Sequence, residues 1–204
     1  MSHLTTNTSA GNTPTGETTG PHPAPWPRTV LRWMVSSTGF PLGGFAALLL
    51  TGPVDDLGAA LAGGLVTGAV LGAAQTWALG DLRSRAVAWV PATAVGLAVG
   101  LGTGASLVHY RTGLADLVVQ GAVTGLAVGI AQAALLLPRV GAVALAWPVL
   151  QSGIWAIGWA VTTAVGVEVD EQFTVFGSAG ALVATALGAA LPLVLRRAAA
   201  GRRS

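Results

Sequence analysis

Residues 64–77 read GLVTGAVLGAAQTW, and residues 121–134 read GAVTGLAVGIAQAA. Seven of the fourteen positions are identical, including three glycines and one glutamine. At about 100° per residue, Gly64, Gly68, Gly72 and Gln75 fall within roughly an 80° arc of a helix. Gly121, Gly125, Gly129 and Gln132 repeat that arc. In lipid no hydrophobic force draws apolar helices together, and small residues at every fourth position let two backbones approach for dispersion contact instead. The stretch therefore predicts glycine-packed membrane helices, written at least twice.

Composition agrees. Charged residues make up 9% of the 204-residue chain, against about a quarter in a soluble domain. That is too few to cover a soluble surface, so the fold class is an all-α membrane protein with the lipid bilayer as its principal partner. Cysteine is absent, which excludes disulfides and thiolate chemistry. All ten basic residues are arginine, and with the Ala, Gly and Val content this fits a GC-rich bacterial genome. Residues 1–27 are rich in Thr, Pro, Gly and Ser with no apolar run. They are expected to be a disordered cytoplasmic tail, and they lack the charged start and apolar core of a signal peptide.

A bilayer core of about 30 Å needs about twenty apolar residues in a helix. Six stretches qualify: 33–51, 57–79, 86–108, 115–137, 143–166 and 173–195. Their interiors hold no Asp, Glu, Lys or Arg, Asp116 standing at the edge of the fourth. The loops between them are five or six residues long, so neighbouring spans run antiparallel. Pro138 is expected to stop the fourth.

Nine of the ten arginines, all but Arg111, fall on the side of the two termini. By the positive-inside rule both termini are cytoplasmic, in the cell membrane. Trp26, Trp33, Trp77, Trp89 and Trp147 lie near the cytoplasmic span ends. There an indole favours the interface, so Trp33, Trp89 and Trp147 are expected to be interface anchors. Trp155 and Trp159 lie deeper and must face lipid or protein.

The repetition extends further. Gly72, Gly129 and Gly188 align across the even spans, at steps of 57 and 59; Gly43, Gly100 and Gly158 align across the odd ones, at steps of 57 and 58. Trp89 and Trp147 stand eleven residues before Gly100 and Gly158, and Trp33 is displaced by one. The expected unit is a hairpin of two spans written three times, about 28–83, 84–140 and 141–197, forming a six-helix bundle over 28–197 with a basic tail at 198–204. Ala88, Ala92, Gly96, Gly100 and Gly104 extend the small-residue stripes to the third span, and Gly180 and Gly188 to the sixth. Such stripes serve helix packing or line a narrow passage. Gln75 and Gln132 form either an interhelical hydrogen bond or a polar lining, since a bare amide in hydrocarbon is costly. The third copy has Leu191 where the glutamine is expected. Gln120, Gln151, Thr162 and Thr163 are further polar groups within spans.

The pattern G-x-x-x-G-x-x-Q, a short apolar run, arginine, then an early tryptophan resembles a group of uncharacterised multi-pass bacterial membrane proteins. Residues 68–75 and 125–132 carry it, and the resemblance implies architecture only. Three two-span repeats are also the plan of mitochondrial carriers, but their Pro-x-Asp/Glu-x-x-Lys/Arg signature is absent.

Little in the chain points to catalysis. His3 and His22 lie in the tail and His109 at the outer end of the third span, so they form no metal site. Glu168, Asp170 and Glu171 could hold calcium weakly, but a solvated loop is the simpler reading. Gly100, Gly102 and Gly104 lie within a span, with no preceding strand to make a dinucleotide loop. Arg196, Arg197, Arg202 and Arg203 suit anionic lipid, not nucleic acid. No nucleophile–base pair falls in the bilayer, and no cofactor is implied. The expectation is a non-catalytic membrane scaffold for other membrane proteins. The alternative is a passive facilitator or channel for a small neutral solute, with Gln75 and Gln132 in its lining. The oligomeric state is left open.

Overall fold

The computed structural model describes residues 25–80, 86–167, 169 and 178–201. Within them the chain is helical throughout: α1 Trp26–Val35, a 3-10 turn Ser36–Thr38, α2 Gly39–Thr51, α3 Leu57–Leu79, α4 Ala86–Leu107, α5 Leu114–Val140, a 3-10 turn Gly141–Ala146, α6 Trp147–Ala164, α7 Ser178–Leu187 and α8 Ala190–Ala200. Five helical stretches are long and apolar enough to cross a membrane: Trp26–Thr51, Leu57–Leu79, Val87–Leu107, Leu114–Ala164 and Ala179–Ala198. The protein is therefore a membrane-embedded helical bundle.

Local chemistry sets the boundaries. Asp56 caps α3 by accepting from the backbone N–H of Ala59 at 2.8 Å, which satisfies one of the donors left free in a first turn. The 51-residue stretch Leu114–Ala164 would run about 75 Å if straight. Instead it folds back at Gly141, whose φ of 61° is open to glycine and costly for other residues. The expected stop at Pro138 is corrected: Pro138 lies inside α5, which runs on to Val140. In the last turn a proline sacrifices only one backbone bond, and Gly141 does the stopping. At the other end, α1 begins at Trp26, inside the stretch expected to be disordered, with Pro27 in its first turn, where no N–H is needed. The helix expected over 173–195 is broken at Gly188–Ala189 into α7 and α8.

Each helix packs on the next from α2 through α7, and α7 returns to α1, its following turn and α2, so the helices close into a ring. Glycine sets the spacing. A methyl group at Gly64, Gly68 or Gly72 would meet the α4 backbone at Ala98, Ala94 and Val90. From α4, Gly96, Gly100 and Gly104 face Val128, Thr124 and Gln120 of α5 in the same manner. Gly121, Gly125 and Gly129 face Trp155, Gln151 and Pro148 of α6, and Gly43 faces Thr67 of α3. Reversed numbering in every pair shows antiparallel packing. Gly180 is pressed against the Gly158 carbonyl of α6, whereas Gly188 sits at the helix break with the Trp33 ring 3.7 Å from where a Cβ would be. Leucines and valines such as Leu42, Leu49, Leu50, Val87 and Val149 cover the outside.

Candidate functional site

Trp33, Trp89 and Trp147 gather at one end of the ring with Leu79, Leu136, Leu191 and Leu195 in a buried cluster. This is called the tryptophan end. The interface role expected for the three tryptophans is corrected here: they are 3%, 6% and 5% exposed. Each indole N–H finds an acceptor inside the protein, so none needs the headgroup region. By contrast Trp26 and Trp77 are well exposed. Arg32 lies over the Trp77 ring, 4.8 Å from its centroid, and donates to the Trp77 carbonyl at 2.6 Å.

The acceptors are the two glutamines and one carbonyl. Trp89 Nε1 donates to Gln75 Oε1 at 3.0 Å, and Trp147 Nε1 donates to Gln132 Oε1 at 2.8 Å. Gln132 Nε2 in turn donates to Gln75 Oε1 at 3.2 Å and to Thr93 Oγ1 at 3.0 Å. Gln151 Nε2 donates to Gln132 Oε1 at 3.4 Å. Trp33, with Leu191 in place of a third amide, donates to the Thr185 backbone carbonyl at 2.9 Å. An indole nitrogen only donates, so the two tryptophans dictate which way round each of the three amides lies.

Two chambers occupy the inside of the ring. The first, of about 70 Å³, is lined by Trp33, Ser37, Phe40, Leu71, Gln75, Gln151, Trp155, Trp159 and the small residues of α7. The second, of about 110 Å³, lies toward the far end and is lined by α2 to α6, including Thr67, Leu97, Leu101, Tyr110, Leu117, Gln120 and Thr124. Phe40, Trp155 and Trp159 belong to both walls. Phe40 meets the two tryptophans edge-on, with centroids 5.4 and 6.1 Å apart. Trp155 and Trp159 thus turn into the protein and not toward lipid.

Gln75 lines the first chamber, while Gln132 has no exposed surface and lines neither. Gln120 lines the second. Thr162 is tied back to the Gly158 carbonyl at 3.0 Å and Thr163 to that of Trp159 at 3.1 Å. At the far end Arg111 pairs with Asp116 at 2.8 Å. His109 and Tyr110 both take positive φ, 53° and 58°, in the turn that ends α4. Glu168, Asp170 and Glu171 lie outside the described residues, as do His3, His22, Arg202 and Arg203.

Thr93 and the aromatic partition were not singled out from sequence. A signal for the belt was present: Gln75 precedes Trp89 by 14 residues and Gln132 precedes Trp147 by 15, a short antiparallel step between consecutive helices. Comparison with protein-family models, curated proteins and solved structures finds no match for this chain.

Proposed function

We propose that this chain is a six-span, non-catalytic protein of the cell membrane, its termini cytoplasmic, whose ring holds and passively passes a small uncharged molecule. The fold-back at Gly141 supports six spans. Recurrent contacts support two of the three expected hairpin copies: Gly43 on Thr67 and Gly100 on Thr124 repeat at a step of 57 residues, and so do the bonded glutamines. The arginine distribution supports the orientation.

The two chambers that meet at Phe40, Trp155 and Trp159 carry the functional reading. Among the described residues, no Asp, Glu, Lys, Arg or His lines either one. Such walls admit a neutral molecule and reject an ion, which would lose its hydration without a counter-charge. Rotation of one aromatic ring would join the chambers. Reconstitution into liposomes tests this. Neutral solutes of graded size should cross without a proton gradient, His109→Ala should leave the flux unchanged, and Phe40→Ala should raise it several-fold. No flux above protein-free liposomes, or uptake that requires a proton gradient, would refute the reading.

A second reading, a scaffold for other membrane proteins, is favoured by the close packing of the tryptophan end, where Gln132 is wholly buried. Absence of flux together with a specific membrane-protein partner cross-linked in the native membrane would establish it.

A further inference from the structure

The hydrogen-bonded belt leaves two polar atoms over, and both residues that carry them line the first chamber. Gln75 Oε1 accepts from Trp89 and from Gln132. Its Nε2, forced to the other side, has no protein partner among the described residues. Gln132 Oε1 accepts from Trp147 and from Gln151 Nε2, which leaves Gln151 Oε1 without a partner in the same sense. Gln75 is 8% exposed and Gln151 5%, so this donor and this acceptor belong to side chains that are almost wholly buried. Around them are Trp33, Phe40, Leu71 and Ile154, all without charge.

We propose that the first chamber binds a small neutral carboxamide. The inference rests on the reading that the ring holds an uncharged solute, and it names the class. A carboxamide brings a carbonyl for Gln75 Nε2 and an N–H for Gln151 Oε1 in one rigid plane. A carboxylate would bring a charge with no counter-charge among the described residues of the wall. A ketone or ether would satisfy the donor and leave the acceptor bare. Size favours a small guest too: a chamber of about 70 Å³ has room for about five water-sized positions, which suits acetamide or propionamide. The polarity is not adjustable: Trp89 holds Gln75 directly, and Trp147 fixes Gln132, to which Gln151 donates.

Acetamide is the probe, with acetone as a control of equal heavy-atom count that lacks the donor. Trp33, Trp155 and Trp159 line the chamber, so intrinsic fluorescence of the full-length protein in detergent reports occupancy. Acetamide should give a saturable change and acetone only a linear one. Gln151→Met keeps the side-chain length and removes the acceptor; it should weaken acetamide binding about tenfold or more. Should that variant fail to fold, Ala181→Leu fills the chamber and leaves the belt intact, and it should abolish saturation. A linear response to acetamide in the native protein, as from a chamber holding water only, would overturn the proposal; so would saturation that survives in a folded Ala181→Leu variant. The liposome assay separates this from the broader reading. Acetamide that binds but does not cross refutes passage and leaves the site standing. Flux of another neutral solute, with acetamide neither bound nor carried, refutes the amide class and leaves passage standing.

Discussion

Gln132 donates through Nε2 to Oε1 of Gln75 at 3.2 Å, although the two residues are 57 apart in the chain. They come from helices α3 and α5, which are not neighbours in the ring, with α4 packed on both. The bond therefore crosses behind α4, and Thr93 of α4 accepts from the same nitrogen at 3.0 Å. One amide thereby connects three helices, and Trp147 adds a fourth.

Replacing Gln132 by Leu removes the acceptor of the Trp147 indole and a donor to Gln75 in one step. A buried group left unpaired costs about 1–3 kcal/mol. Interhelical bonds in membranes fall at the low end, so Gln132→Leu should cost about 1 kcal/mol, read as a fall in the melting temperature of the detergent-solubilised protein. Gln75→Leu should cost less, and the double variant less than the sum of the singles, because the residues share a bond. Additive losses would show that the belt is not coupled.

Glycine substitutions should divide sharply by position. A methyl at Gly129 would stand 2.5 Å from the Cα of Pro148, while at Gly153 nothing lies within 4 Å. Gly129→Ala should destabilise by about 1–3 kcal/mol through overpacking, and Gly72→Leu or Gly129→Leu by more. Gly153→Ala should be neutral or stabilising by up to about 1 kcal/mol, since alanine favours the helix. Equal effects at the two sites would contradict the packing described.

Thr76 presents the opposite case. Its hydroxyl oxygen is shut off from solvent and, among the described residues, has no hydrogen-bond partner; the unpaired atoms of Gln75 and Gln151 differ in facing a chamber. Thr76→Val keeps the shape and deletes the orphan group, so stability should rise by about 1 kcal/mol. A loss of stability would mean that the hydroxyl has a partner in the membrane.

Orientation can be read with single cysteines, since the native chain has none. An impermeant reagent outside the cell should label cysteine at Asp55 or Arg111 and miss it at Ser84 or Ser204. Labelling at Ser84 from outside would reverse the proposed topology.

Helical periodicity carried most of what the sequence revealed. The bounds of α3 fall at the expected 57 and 79, because a capping aspartate and a terminal glycine flank an uninterrupted apolar run. The position of the glycine faces was legible for the same reason; their use was not, since small residues at every fourth position either pack helices or line a passage. The tryptophans were not legible. An indole beside an arginine at a span end suits the membrane interface as well as a buried acceptor, and only the neighbouring helix decides between them. Nor could the chambers be read, since their walls draw on residues from five or more segments whose inward direction depends on ring closure. The break at Gly188 was hidden because a glycine within an apolar run reads equally as packing or as interruption.

Ring closure also has a place in time. Trp33 bonds to the Thr185 carbonyl, 152 residues later. At about 5–20 residues per second, a ribosome needs about 8–30 s to deliver that acceptor after the indole has entered the membrane. Throughout that interval the first span carries an unpaired N–H, while the belt from Gln75 to Trp147 can already assemble. Biogenesis thus leaves the N-terminal helix on loan to water, headgroups or the insertion machinery until the last helix arrives. A chain that ends before Thr185 keeps the Trp33 indole without this acceptor.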